Sequence, residues 1–534
     1  MTKKSIYFGT LLLTALAFGS CASDDTATDK TAGKDAPKTG TVFSSETEPT
    51  TRTSATYTGS GLDFYWTAND KIWVKDDNNT YHQSSEDDIA SRIAAVPGST
   101  TTAKAKFWVN GKYTGSTHKV RYTGNSGSSD KVIIKASQTQ STPNDAAHIA
   151  DDGDFGVADA TGSGKYTFTL NHKAAYVTFM PYNAQGKIGG VLQKIRISTS
   201  NPSDHLAGTF DLADDGILSN PTSTSNSVEL NLSNFSIPQV STYAKNAATM
   251  VVNPGTYNNV TIEYTLHDAV TNVSGTIKRT YSSVTFDAGK NTPVRADMRI
   301  KVYPGNEYYM WDAVDPYWKG YEWNNPNTAL RFQPIVSGQS DPTHAPQSTI
   351  TVSGGTSRDF NNITSGTASH SAKDCPNLNE LYWYAEKGEP YWDNTTLWAT
   401  MDHLYVGGTW FLKQSAIASK NGKNVSDLKL AAPNGTDYTT TLQALDYTNN
   451  SVPTGIPSNL NDYFYLPTLG VYNSTPPKAF LGPGIIGDFW PSTPSGNNIY
   501  ILFIGANIVR VFTTFKNGGC SRFSSSNEDE YRPF

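Results

Sequence analysis

Few residues in this chain are spaced for chemistry. Its nine histidines show no metal-ligand spacing, and neither His-Glu-x-x-His nor Cys-x-x-Cys occurs. Asp151-Asp152-Gly153-Asp154 gathers three carboxylates without the spacing of a calcium loop. Serine is common, but the Gly-x-Ser-x-Gly turn that presents a nucleophile is absent. The chain is therefore expected to bind rather than to catalyse, with no metal and no cofactor. Two groups stand out. One is the three cysteines, Cys21, Cys375 and Cys520. The other is the set Trp392, Asp393, Asn394, Trp398 and Trp490, in which indole rings facing solvent could stack on sugar rings. The competing reading is that aromatic residues at turn corners plug a small core.

The elements that must position these residues are mostly strands. Hydrophobic content is low at 37%, while Tyr, Trp, Thr, Gly and Asn are plentiful. Such residues favour twisted antiparallel strands with tight turns and one wet face. The 42 basic and 48 acidic residues leave a net charge of −6, without the basic face that nucleic acid requires. Three of the eleven tryptophans precede residue 109 and eight follow residue 310, which marks a boundary near 303–311. A helix is predicted after Asp374, its expected N-cap, with Pro376 in the first turn. Leu378, Leu381, Tyr382 and Ala385 then fall on one face.

The N-terminus reads as an address. Lys3 and Lys4 precede an apolar run from Ile6 to Phe18, followed by Gly19-Ser20-Cys21. A basic start, a short apolar stretch and small residues describe a secretory signal. The cysteine makes it resemble a bacterial lipoprotein signal over 1–21, in which the Cys21 thiol is acylated and anchors the chain to a membrane. Phe18 stands where that signal usually carries Leu, and a plain signal peptide with an incidental cysteine is the alternative. Residues 22–52 have only Val42 and Phe43 as large apolar residues, so they are expected to form a disordered tether or pro-segment. Asp24 and Asp25 resemble the acidic surface-export signals of some Gram-negative lipoproteins.

From residue 53 the pattern alternates with period two. Leu62, Phe64 and Trp66 alternate, and strands are predicted at Ala105–Val109, Lys119–Tyr122 and Val132–Lys135. A second set begins at Tyr166, Phe168 and Leu170. It continues through Val177–Phe179, Leu192–Ile197, Val228–Leu232, Val260–Leu266 and Val294–Val302. These runs read as two β-sandwiches, 53–165 and 166–302. Several motifs, in this order, resemble the fimbrillin family of lipoprotein (type V) pilins: Arg52-Thr53, Tyr65-Trp66-Thr67-Ala68-Asn69-Asp70-Lys71-Ile72, Asp154-Phe155-Gly156-Val157-Ala158, Phe168-Thr169-Leu170-Asn171-His172-Lys173-Ala174-Ala175 and Phe286-Asp287-Ala288-Gly289-Lys290. The resemblance covers about residues 40–302. It implies two transthyretin-like sandwiches, surface export, and cleavage after an arginine that removes a first strand. A strand donated by a partner subunit then fills the groove. Arg52 is the best-placed arginine for that cut; Arg92 lies inside the first module.

Over 370–525 the chain resembles the major paralogous domain of fibre-degrading bacteria, which has a C-type-lectin-like fold. The segments concerned are Cys375-Pro376-Asn377-Leu378-Asn379-Glu380-Leu381, Tyr391-Trp392-Asp393-Asn394, Gly407-Gly408-Thr409-Trp410-Phe411-Leu412-Lys413, Tyr465-Leu466-Pro467-Thr468-Leu469-Gly470, Gly487-Asp488-Phe489-Trp490-Pro491-Ser492-Thr493 and Gly519-Cys520-Ser521-Arg522-Phe523. Residues 312–370 are left unplaced by this resemblance. The resemblance implies an α+β domain over 303–534. In an exported chain Cys375 and Cys520 are expected to form a disulfide, as lectin-like folds often do, with two separate buried thiols as the alternative. Glu389-Pro390 and Trp392-Asp393-Asn394 superficially echo lectin calcium and sugar ligands. They stand in the wrong order and too close together, and a structural turn is the preferred reading.

The expectation is a mainly β chain with two tandem β-sandwiches and a lectin-like α+β head. It would act as a tip or accessory subunit of an outer-membrane fimbrium and as an adhesin. Its partners would be other fimbrillin subunits and a carbohydrate or protein surface ligand. A stand-alone surface glycan-binding lipoprotein of a polysaccharide uptake system is the alternative.

Overall fold

The computed structural model describes residues 38–45, 54–347, 356–440, 446–496, 498–526 and 528–531. Cys21 and Arg52 lie outside them. The chain is mainly β. The strands up to residue 172 are β1 (Thr41–Ser45), β2 (Ser54–Tyr57), β3 (Leu62–Tyr65), β4 (Trp73–Lys75), β5 (Tyr81–Asp87), β6 (Ala105–Val109), β7 (Thr117–Tyr122), β8 (Lys131–Ile134), β9 (Ser137–Gln140), β10 (Gly156–Ser163), β11 (Lys165–Thr167) and β12 (Asn171–His172).

The first sheet runs in the order β11-β1-β6-β5-β4-β7-β10-β12, and β10 also pairs with β11. The strand order therefore closes into a ring, a β-sandwich whose layers are joined through β1 and β11 into a small barrel. Phe43, Trp66, Val74, Phe107, Val120, Tyr122 and Tyr166 fill its interior. The period-two runs predict β6 and β7 well, because alternation puts Ala105, Phe107 and Val109 on the inner face. One expectation is corrected here. The stretch 22–52 is not tether throughout, since Thr41–Ser45 forms β1, and Val42 and Phe43 are the residues that make it a strand.

The next strands are β13 (Ala175–Tyr182), β14 (Val191–Thr199), β15 (Ala207–Leu212), β16 (Leu218–Ser225), β17 (Ser227–Ser236), β18 (Ala248–Val252), β19 (Gly255–Asp268), β20 (Val273–Phe286) and β21 (Asn291–Asp297). They form the sheets β18-β13-β21, β20-β19-β14-β17-β9 and β16-β15-β8 around a second core. The expected limits 53–165 and 166–302 are corrected by the pairing. β11 and β12 belong to the barrel, whereas β8 pairs with β15 and β9 runs parallel to β17. Ala55 and Phe64, from the β2–β3 hairpin, also pack in the second core. Gln138 and Gln140, each only 1% exposed, turn their amides onto β18. The Gln138 amide donates to Val251 O and accepts from Val251 N; that of Gln140 donates to Ala247 O and accepts from Thr249 N. Two side chains thus help satisfy the outer edge of β18, which no described strand pairs.

The barrel is latched to this unit by Asp214, in the turn between β15 and β16. Its carboxylate accepts from Lys75 Nζ at 2.9 Å, Tyr81 Oη at 2.5 Å and Arg121 Nη2 at 2.5 Å. Burial alone would raise its pKa, but the Tyr81 and Lys75 hydrogen bonds and the Arg121 charge outweigh it and hold it at about 2.

The C-terminal unit begins with β22 (Lys301–Tyr303), followed by β23 (Tyr391–Asp393), β24 (Trp398–Thr400), β25 (His403–Tyr405) and β26 (Gly408–Leu412). The predicted helix is present at Leu378–Lys387, but Asp374 is not its cap. Asn377 accepts from Glu380 N, and the Glu380 side chain accepts in turn from Asn377 N, which closes a capping box. In the stretch 312–370, unplaced by sequence, the described residues around Asn361 and Ser369 are drawn to Asp312. This fully buried carboxylate accepts from Ser369 N, His370 N, Ala372 N and Asn361 Nδ2.

β22 pairs with β24, and the β24–β25 hairpin is driven into the second core, where Leu397, Ala399 and Leu404 are buried. Asp268 accepts from Leu404 N at 3.0 Å and bonds His403 Nδ1 at 3.1 Å, while Thr271 Oγ1 donates to Leu404 O at 2.9 Å. The seat is cut from glycine. A Cβ on Gly189, whose φ is +69°, would lie 1.6 Å from Asp402 O, and one on Gly190 would lie 2.1 Å from Leu404 Cδ1.

Two outcomes follow from these joints. Gly189→Ala should lower unfolding stability by about 2–3 kcal/mol in a denaturant titration, through overpacking added to left-handed strain. Gly98→Ala, at φ +79° with nothing within 4 Å of its Cβ, should cost about 1 kcal/mol. Because the Asp214 pKa is depressed from 3.8 to about 2, its stabilisation is complete above pH 4 and is lost as pH falls toward 2. An acid-unfolding series should show that dependence shrink in Asp214→Asn.

Candidate functional site

The best-defined site in the described structure is the position β1 occupies. β1 pairs antiparallel with β6, setting Phe43 opposite Phe107 and Ser45 opposite Ala105. On its other side it pairs parallel with β11, setting Phe43 opposite Tyr166. Phe168 N donates to Ser44 O at 3.0 Å. The Phe43 ring is fully buried and stacks on Tyr166 with centroids 5.0 Å apart and planes at 13°. Tyr113 meets it edge-on at 5.0 Å, and His118 edge-on at 6.4 Å. These walls are themselves fixed. Tyr166 Oη donates to Gly115 O at 2.8 Å, Tyr113 Oη to Asn110 O at 3.3 Å, and His118 Nδ1 bonds Lys75 O at 3.2 Å. Burial pushes the Tyr113 hydroxyl pKa well up, so it remains a neutral donor.

The sequence around Phe43 matches this seat. Gly40, at φ +118°, has no room for a side chain, because a Cβ would lie 2.9 Å from Val109 O. Ser44 and Ser45 are 6% and 1% exposed, so both positions take small residues only. The signal visible in sequence was a Val-Phe pair set between Gly40 and two serines in an otherwise polar stretch.

The sugar-stacking reading of the tryptophans is overturned. Trp398 and Trp490 are fully buried and Trp392 is 6% exposed, so none offers a face to solvent. Trp398 Nε1 donates to Gly407 O at 3.0 Å and Trp490 Nε1 to Tyr309 O at 2.7 Å. Asp393 is buried as well. Burial pushes its pKa up, but hydrogen bonds from Thr396, Thr395 and Trp410 outweigh this and hold it below the usual carboxylate range. It closes a turn, and Asn394 is the exposed corner of that turn. Trp392, Asp393, Asn394, Trp398 and Trp490 therefore make no common binding face.

The expected Cys375–Cys520 disulfide is likewise corrected: both residues are free, buried thiols. Cys520 pairs through its backbone with Tyr309, and its thiol faces Tyr317 and Asp488. Cys375 lies instead beside Arg522 and Phe523. Burial pushes the Cys375 thiol up to about 12 and raises the Cys520 thiol well above its ordinary value, so neither is a ready nucleophile. Among the described residues, no group of three or more His, Cys, Asp or Glu is placed to hold a metal ion. No described helix is long and apolar enough to cross a membrane.

No family model matches the chain, and no curated protein matches it. Among solved structures, one similar chain is a candidate cell adhesion protein of Bacteroides ovatus. It is 13% identical, with 44% of this chain and 84% of that chain covered and a TM-score of 0.28. A candidate cell adhesion protein of Bacteroides fragilis is 12% identical over 47% of this chain and 89% of its own, with a TM-score of 0.28. A fimbrial assembly protein of Parabacteroides distasonis is 12% identical over 48% of this chain and 88% of its own, with a TM-score of 0.20. Scores this low fall short of a shared fold.

The thiol assignment is directly measurable. Alkylation without reductant, followed by peptide mapping, should leave Cys375 and Cys520 unlabelled in the native chain and label both fully in denaturant. A disulfide would block both under either condition.

Proposed function

We propose that this chain is a fimbrial subunit of the bacterial cell surface, matured by removal of its N-terminal segment and assembled by strand replacement. The single observation that carries the reading is the position of β1. It is hydrogen-bonded on both sides, closes the barrel, and is joined to the rest of the chain only through the stretch that contains Arg52. A cut after Arg52 leaves β1 held by non-covalent bonds alone. Its departure exposes the β6 and β11 edges together with an aromatic hole, and an incoming strand satisfies all three.

A tip or accessory position is read from the packing of the C-terminal unit. The hairpin of Asn498–Gly505 and Ile508–Phe515, then Cys520 and Phe523, are built into the last core. Strands packed in this way are poor donors to a further subunit, which supports a tip or accessory place over the shaft. In this reading Cys21 carries the lipid that delivers the chain to the outer membrane. The C-terminal unit is the head that meets host or bacterial surface ligands, and the chain has no catalytic role.

The test is intact-mass measurement and N-terminal sequencing of the chain recovered from its native cell surface. A start at Thr53 is expected. A start at acylated Cys21 with β1 still in place would overturn strand replacement and favour an anchored glycan-binding lipoprotein.

A further inference from the structure

We infer that the β1 slot selects its incoming strand by one planar aromatic side chain followed by two small residues, presented by a different subunit. This rests on the strand-replacement reading and adds to it the chemistry of the partner. The slot is uneven along its length. At the Thr41 and Val42 positions the side chains are half-exposed, so many residues fit there. At the Phe43 position the walls are rings on three sides, Tyr166 flat against the occupant and Tyr113 and His118 edge-on. A flat ring keeps all three aromatic contacts, which lie at the centroid separations where ring pairs attract beyond their buried area. An aliphatic side chain fills part of the volume and loses those contacts; alanine leaves a cavity.

The next two positions set the second half of the pattern. Ser44 and Ser45 sit against Lys106 and Ala105 of β6 and are almost wholly enclosed. A branched or long side chain there must displace packed neighbours. The backbone before the ring is constrained too, since the Gly40 site lies too close to Val109 O for a Cβ. The slot therefore reads glycine, two tolerant positions, an aromatic residue, then two small residues. The strand runs parallel to β11.

The occupant comes from another subunit because, among the described residues, the other runs of an aromatic residue and two serines are already built into the fold: Tyr281-Ser282-Ser283 lies within β20, paired to β19. Phe-Ser-Ser recurs once, at 523–525. There Phe523 is 2% exposed and packed on Tyr384, Phe464 and Phe489 at 5.7, 6.0 and 5.6 Å.

The experiment uses the full chain cut once after Arg52, unfolded in denaturant and refolded with excess labelled peptide, with incorporation read by native mass spectrometry. The parent peptide carries the sequence of residues 38–46. It should enter the slot and displace the cleaved segment. Its Phe43→Ala variant should compete about a hundredfold more weakly, and Phe43→Leu and Ser45→Leu about tenfold more weakly. Equal entry of the parent and Phe43→Ala peptides would overturn the selection rule while leaving strand replacement intact. Failure of every peptide, the parent included, would overturn both.

Discussion

Backbone hydrogen bonding on both sides of a five-residue strand holds the first unit closed. β1 contributes Phe43 to the barrel core, and β6 and β11 on either side of it depend on β1 for their inner pairing. Without it the ring becomes an open sheet with two new edges and an empty aromatic seat, a state that buries less apolar surface and leaves backbone groups unmet. The continuity of the chain through the stretch after Ser45 keeps β1 at high local concentration. Structural closure and biological availability thus hang on the same short segment.

The other joints oppose separation. β8 and β9 leave the barrel region to complete sheets of the second unit, and Gln138 and Gln140 use their side-chain amides to finish the β18 edge. With that edge satisfied, the barrel offers the one place among these joints where losing a single strand creates a strand-shaped vacancy. Units that look like consecutive sequence modules are woven together in space, and stability of one is coupled to integrity of the next.

Much of this was legible in the residues, and the failures have physical causes. Period-two runs marked β6, β14, β17 and β19, because one buried face enforces alternation. The helix Leu378–Lys387 was visible from its apolar spacing, yet its start was misplaced at Asp374. The reciprocal Asn377–Glu380 pair, three residues apart, was the better signal. β1 escaped because a strand paired on both sides borrows its burial from neighbours, so two apolar residues suffice where composition suggests a tether. The module limit at 165 failed because strand partnership is long-range and leaves no local trace. The tryptophans misled because turn-corner indoles here face inward, those of Trp398 and Trp490 tied to carbonyls. Asp312 was missed since a lone aspartate in an aromatic stretch gives no hint that four donors converge on it.

The glycine seat at Gly189 and Gly190 also has a mechanical meaning. With the β24–β25 hairpin wedged there and β22 paired directly to β24, the C-terminal unit has no slack linker through which to swivel. Tension applied to it passes into the second core as shear across paired strands, and through the Asp214 latch toward the barrel. Force borne by that unit is therefore shared among paired strands instead of being absorbed by a hinge.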